Sequence, residues 1–283
     1  MALKPRASSK ALALPANNRL FLRASASAVL KSARPFANAA PAPPRLDLLL
    51  FYCLRNMAQR RVVVAIDGPA GAGKSTIARR LAERLGFVYI DTGAMYRALA
   101  LWALRQAINP ADRHRMEQLA LAADIQFELK RVLLNGEDVS EAIRAPEVSN
   151  AASQAASIPA VRRAMVAKQR AIAEQASVVM EGRDIGTVVF PNADIKIFLD
   201  AQPEERARRR LADEQAKGRK LDRNTVAKQL EERDRRDSTR PDSPLAQAPD
   251  AVYLDTTSAG LDEVEEAILK IVRARVTNGK VIS

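Results

Sequence analysis

The stretch Val62-Val-Val-Ala-Ile-Asp-Gly-Pro-Ala-Gly-Ala-Gly-Lys-Ser-Thr76 decides the fold. Its first five residues are apolar and mostly β-branched, which predicts a short buried strand. Gly68-Pro-Ala-Gly-Ala-Gly-Lys-Ser75 then matches the phosphate-loop pattern G-x-x-x-x-G-K-[ST]. The run Ile77–Leu85 has apolar positions at helical spacing, and Gly86 closes it as a C-cap. Each residue type has a physical reason to be there. Gly68, Gly71 and Gly73 allow positive φ, so that N–H groups can turn inward as an anion nest. The helix N-terminus adds partial positive charge, Lys74 can reach the β- and γ-phosphates, and Ser75 can ligate Mg²⁺. Strand, loop and helix in this order predict a nucleoside triphosphate site.

Working outward, strands and helices alternate. Phe87–Ile90 predicts a second strand and Met95–Ala107 a helix. The pattern then changes. Ile125–Leu129 and Arg131–Leu134, with the turn signal Asn135-Gly136, predict short antiparallel strands in a subdomain inserted over about residues 120–157. Pro159 opens a helix running to about Gln175. Ser177–Met180 and Ile195–Leu199 predict further core strands, and residues 203–240 are strongly charged and helical. Ala251–Leu254 predicts a last strand, followed by a helix from Leu261. Such alternation implies an α/β fold with a parallel sheet covered on both faces.

The formal net charge is +12, but it is unevenly spread. Residues 1–56 hold nine Lys or Arg against Asp47 alone, whereas residues 57–283 hold 36 basic and 32 acidic residues. Whole-chain basicity is therefore no argument for nucleic-acid binding. Residues 1–56 also carry six of the fifteen prolines, no glycine and no sustained period. They are expected to be a disordered extension: an over-extended start upstream of Met57, or a transit peptide. The only cysteine, Cys53, lies there, so neither an intrachain disulfide nor a cysteine metal cluster is possible. The only histidine, His114, excludes a two-histidine site and is expected in a solvated loop or helix start.

A phosphate loop leaves many functions open. The Asn-Lys-x-Asp motif of guanine readers is absent. Ligands of open parallel sheets bind at the C-terminal strand ends. There the second strand runs into Asp91-Thr-Gly-Ala-Met-Tyr-Arg97, and Ser177–Met180 runs into Glu181-Gly-Arg-Asp-Ile-Gly-Thr187. Arg97 and Arg183 suit a second phosphate, because a guanidinium fork grips phosphate bidentately. The charged segment adds Arg233, Arg236, Asp237 and Arg240. Arg208, Arg209 and Arg210 read equally well as solvated surface charge.

Those two motifs, with the phosphate loop, Asn150-Ala-Ala-Ser-Gln154 and Glu232-Arg-Asp-Arg-Arg-Asp237, resemble bacterial cytidylate kinase in the family's order, over nearly all of 57–283. The resemblance implies a parallel-sheet phosphate-loop kinase core, the inserted nucleoside-monophosphate subdomain, and a helical lid over about residues 203–240. It implies transfer of the γ-phosphoryl group of ATP to CMP or dCMP with Mg²⁺. ATP would lie on Gly68, Pro69, Ala70, Gly71, Ala72, Gly73, Lys74, Ser75 and Thr76. Ser75, or Thr76 in its place, would hold the metal. Thr92 and Tyr96 would line the CMP site. Arg97, Arg183 and Arg240 would hold the CMP phosphate, Arg233 and Asp237 the ribose, and Ser153, Arg162 and Asp184 the base. Lys74, Arg183 and Arg236 would serve the transition state. The resemblance implies small-molecule substrates; the modest charge of residues 57–283 and the shortness of the apolar stretch Leu48–Leu54 argue against nucleic-acid and membrane partners, and the chain is expected to be a monomer in the cytoplasm, or imported into an organelle if residues 1–56 are a transit peptide.

Overall fold

The computed structural model describes residues 61–128, 131–216 and 218–277. The expectations for residues 1–56, Cys53 included, lie outside the described residues.

A five-stranded sheet forms the centre: β1 (Val63–Asp67), β2 (Val88–Asp91), β6 (Val178–Glu181), β7 (Ile195–Asp200) and β8 (Val252–Asp255). Its order is β2-β6-β1-β7-β8, and every neighbouring pair is parallel. Side chains alternate across it. Val64 and Ile66 face one layer, formed by α1 (Lys74–Leu85) and α8 (Leu261–Thr277) through Ile77, Leu81, Ile268 and Val272. Ala65, Val178 and Met180 face the other, with Ile185 and Val189. With both faces covered, the central strand β1 and its neighbour β6 are apolar up to their acidic last residues, as the Val62–Ile66 run foretold, while the edge strands β2 and β8 are partly exposed.

The register fixes where chemistry gathers. Glu181 is level with Ile66 of β1 and with Asp91 of β2. The next residues of these three strands, Asp67, Thr92 and Gly182, therefore emerge side by side at one sheet edge.

The Asp91 carboxylate accepts the Ala94 N–H at 2.9 Å, so α2 (Thr92–Arg105) starts directly at the strand end, before the expected Met95. Asp112 caps α3 (Arg113–Ala122) in the same way, placing exposed His114 in its first turn. A small antiparallel sheet follows: β3 (Ile125–Glu128), β4 (Arg131–Leu134) and β5 (Glu137–Asp138). The Asn135-Gly136 turn joins β4 to β5, a two-residue strand that period-two reading does not register. A short 3₁₀ turn at Ala142–Arg144, α4 (Pro146–Ala155) and α5 (Pro159–Ala173) complete this part. Its core is shared with α2 and α3 through Met95, Leu99, Met116, Leu134 and Met165.

The charged segment forms two helices, α6 (Pro203–Ala216) and α7 (Arg223–Thr239). Gly218, at φ 75°, ends the first run, and Asp222 caps the second by accepting the Thr225 N–H at 2.9 Å. The pair packs through Ala207, Leu211, Val226 and Leu230 onto Ala70 of the phosphate loop.

Candidate active site

The loop between β1 and α1 has the conformation its glycines permit. Gly68 sits at φ 145°, and a Cβ there would lie 1.9 Å from the Leu199 carbonyl oxygen. No other residue fits. Gly73, at φ 87°, begins α1 with no side chain capping its first N–H groups, which leaves them for an anion. Lys74 is 5% exposed and donates to the Pro69 carbonyl at 2.6 Å. Burial, with Arg183 and Arg233 nearby, pushes its ammonium down to about 7, although Glu181 and Asp67 oppose this.

A cleft of about 740 Å³ opens over the loop. Ala70, Gly71, Gly73, Lys74, Ser75 and Thr76 line it, while Gly68, Pro69 and Ala72 shape the turn beneath. Arg97, Arg183 and Arg233 face it from the sheet edge and α7, and Thr257–Leu261 close one end. Arg208, Arg209 and Arg210 also line it. Each is held by a carboxylate of α6: Arg208 and Arg209 by Glu205, Arg210 by Glu214.

A second cavity, about 70 Å³, adjoins the first, since Gly93, Gly182, Arg183 and Arg233 line both. Thr92, Tyr96, Ser153, Arg162, Asp184, Asp237 and Arg240 complete its wall. They arrive from α2, α4, α5, the turn after β6, and α7 with its C-cap. Arg162 is 3% exposed, pairs with Asp184 and lies 5.7 Å over the Tyr96 ring. Arg240 stands 3.6 Å from Asp184 and 3.8 Å from Asp237. Arg183 donates to Asp237 at 2.9 Å. Burial pushes the Asp237 carboxyl up, but Arg183, Arg233 and Arg240 outweigh this and hold it below the usual carboxylate range. Among the described residues four buried polar atoms in this wall make no hydrogen bond: Ser153 Oγ, Arg162 Nε, Arg233 Nε and Arg240 Nη2, of which Arg233 Nε lies 4.0 Å from Asp237 and Arg240 Nη2 3.6 Å from Asp184. Burying such groups without hydrogen bonds is costly, so they are candidate contacts for a ligand.

The matching family model is that of cytidylate kinase, over residues 64–274. A cytidylate kinase of Solibacter usitatus is 68% identical over 78% of this chain and 97% of its own length. Another, of Geobacillus kaustophilus, is 52% identical over 77% of this chain and 99% of its own length. A third, of Pelotomaculum thermopropionicum, is 50% identical over 77% and 96%. The chain belongs to the cytidylate kinase family.

Several groups that sequence reasoning left without a role also belong to the site. Glu181 is buried behind Lys74, receives the Tyr89 hydroxyl at 2.5 Å, and takes a hydrogen bond from Ser75. Burial, with Asp91 beside it, raises its carboxyl. Asp91 pairs with Arg97 at 2.7 Å. Burial raises Asp91 too, but Arg97 and the Ala94 N–H prevail and hold it below the ordinary value. Arg206 donates to the Ala70 carbonyl at 3.2 Å and pairs with Asp234, which accepts the Ala70 N–H at 3.3 Å. Helices α6 and α7 thus grip the phosphate loop itself. The available signal was position, since Glu181 and Asp91 end strands at the ligand-binding edge.

Arg236, expected to serve the transition state, lines neither cavity. Its Nε donates to the Glu232 carbonyl at 3.3 Å, and its guanidinium pairs with the Glu232 carboxylate at 3.4 Å. Helical geometry is the reason. Arg233 and Asp237, four apart, share the inward face of α7, and Arg236 is turned about 100° from Asp237. Among the described residues no three His, Cys, Asp or Glu side chains gather as a metal-ligand set. The oxygen donors available at the loop are the exposed Ser75 and Thr76, with Glu181 behind them.

Proposed function

We propose that this chain transfers the γ-phosphoryl group of ATP to CMP or dCMP, giving ADP and CDP or dCDP. The observation that carries the reading is the buried, ion-paired polar wall of the smaller cavity, joined to the phosphate-loop cleft in a chain of this family. ATP binds the loop Gly68–Thr76. Mg²⁺ suits the donors there, because it takes few protein ligands and draws the rest from phosphate and water. Ser75, with Thr76 as the alternative, would hold it, and when bound it neutralises charge on the transferring phosphoryl group.

Arg97, Arg183 and Arg240 take the CMP phosphate, and Arg233 with Asp237 the ribose. Ser153, Arg162 and Asp184 read cytosine, with Thr92 and Tyr96 bounding the pocket. A carboxylate accepts from the cytosine N4 amine, and a guanidinium donates to O2 and N3. Uracil has a carbonyl at position 4 and would set two acceptors against each other. No general base is required, since the CMP phosphate loses its second proton near a pKa of about 6 and is largely dianionic at neutral pH. The protein's work is alignment and charge stabilisation. Lys74 and Arg183 meet the charge that develops on the equatorial oxygens. Arg236 could join them only if α7 turned. The segment 203–240 acts as the lid that excludes water, and about 120–157 is the inserted monophosphate subdomain.

No helix among the described residues is long and apolar enough to cross a membrane. Among the described residues the exposed large apolar side chains are Val88, Leu104, Leu121, Tyr253 and Leu261, and we take the chain to be a monomer. We place it in the cytoplasm. A coupled ADP-release assay with CMP, dCMP, UMP, AMP and an RNA oligomer tests the reading. CMP and dCMP should be turned over. Preferential use of AMP or UMP, or stimulation only by RNA, would overturn it.

A further inference from the structure

Asp67 has no role in the chemistry described so far. It ends β1 directly before Gly68 and is 5% exposed. Both carboxylate oxygens are engaged. Oδ1 accepts the Ile185 N–H at 2.8 Å, and Oδ2 accepts the Gly186 N–H at 2.7 Å. These are the first two N–H groups after Asp184, and they open the single π-helical turn Ile185–Val189.

An aspartate in front of a helical turn ordinarily accepts with its own carboxylate from the second or third N–H of the turn, here Gly186 and Thr187. Asp184 occupies that position and makes no such bond. Its carboxylate faces Arg162 and Arg240 in the pocket instead. Asp67 has taken over the capping from another strand. The approach is close: a Cβ on Gly186 would lie 3.4 Å from Asp67 Oδ2 and 3.2 Å from Lys196 Cδ. Burial pushes the Asp67 carboxyl up to about 6, with Asp184 adding to the rise; the N–H groups of Gly186 and Ile185, then Lys74, pull it back.

We infer that Asp67 is a positioning residue for base selection: by capping Ile185 and Gly186 it frees the Asp184 carboxylate and aims it at the nucleobase. The inference rests on the reading of Asp184 as a group that meets cytosine. Because Asp67 adjoins Gly68, it also ties the phosphate loop to the base pocket through one side chain.

Asp67→Asn keeps one acceptor oxygen and sets an NH₂ group against the second N–H. The test measures kcat/KM for CMP and for UMP at saturating ATP, with melting temperature, in wild type, Asp67→Asn, Asp184→Asn and the double variant. Asp184→Asn is expected to lower the CMP-to-UMP ratio by about 10- to 200-fold. Asp67→Asn should lower it about tenfold, mainly through the KM for CMP, and move the KM for ATP less than about threefold. In the Asp184→Asn background, Asp67→Asn should change the ratio less than about twofold, since both act through one group. If Asp67→Asn fails to fold, Gly186→Ala takes its place: the Cβ would crowd Lys196 Cδ at 3.2 Å and reach Asp67 Oδ2 at 3.4 Å, displacing the turn that Asp67 caps, and should lower the ratio about threefold.

If Asp184→Asn lowers the ratio while Asp67→Asn, or Gly186→Ala in its place, leaves it unchanged, the inference is overturned and the cytosine reading stands. The same holds if either variant slows CMP and UMP equally, as a merely structural loss would. If Asp184→Asn leaves the ratio unchanged, the cytosine reading falls and takes the inference with it.

Discussion

The phosphate cleft and the base pocket share a wall, yet they are built on opposite principles. The cleft rests on one contiguous loop whose main-chain N–H groups and left-handed glycines are set by local conformation. Its cations converge, and Lys74 is lowered first by burial and then by Arg183 and Arg233 beside it. The base pocket has no such run. Thr92, Ser153, Arg162, Asp184 and Asp237 come from five separate parts of the chain, and their charges are matched in pairs. A buried charge without a partner would be expensive, so the pocket is held together by the ion pairs that keep its donors and acceptors aligned. On the proposed reading, phosphate recognition is a property of a segment, and base recognition a property of the assembled fold.

The most severe way to break the cleft alone is Lys74→Ala. It should cut kcat about 100- to 1000-fold, with the circular dichroism spectrum unchanged. A variant keeping more than about a tenth of wild-type turnover would remove Lys74 from the chemistry. Gly68→Ala tests whether the loop is locally dictated. Its Cβ would strike the Leu199 carbonyl at 1.9 Å. The variant should lose about 3 kcal/mol in urea unfolding. A loss under about 0.5 kcal/mol would show the loop to be more pliable than its conformation implies.

Ser153→Ala sharpens the contrast from the pocket side. The hydroxyl has no hydrogen-bond partner among the described residues, so its removal should leave the melting temperature unchanged. It should nevertheless lower kcat/KM for CMP about tenfold while sparing the KM for ATP. A fall in melting temperature with unaltered CMP kinetics would make the hydroxyl structural. The smallest effect is a proton. Lys74, lowered to about 7, is charged below that pH and increasingly neutral above it. A triphosphate stabilises the ammonium and raises the value again. ATP binding should then take up close to one proton at about pH 8 and almost none at about pH 6. Calorimetry in buffers of differing ionisation enthalpy reads this directly, and equal uptake at both pH values would contradict the lowered ammonium.

From the sequence came the elements whose causes are local. The apolar run Val62–Ile66, the glycines of the loop, Pro159 opening α5 and the alternation of strand with helix all name their structures, because steric and solvent preferences act over a few residues. The five motifs named a family for the same reason, each being a continuous string. What remained was tertiary. The strand order β2-β6-β1-β7-β8 decides that Asp91, Glu181 and Asp67 meet at one edge, and no short window encodes it. The lid's grip on Ala70 through Arg206 and Asp234 joins residues far apart in the chain. The facing of α7, which brings Arg233 and Asp237 inward and leaves Arg236 on Glu232, was settled by packing of Val226 and Leu230. A charged side chain's role depends on what desolvates and pairs it, and only the folded chain supplies that.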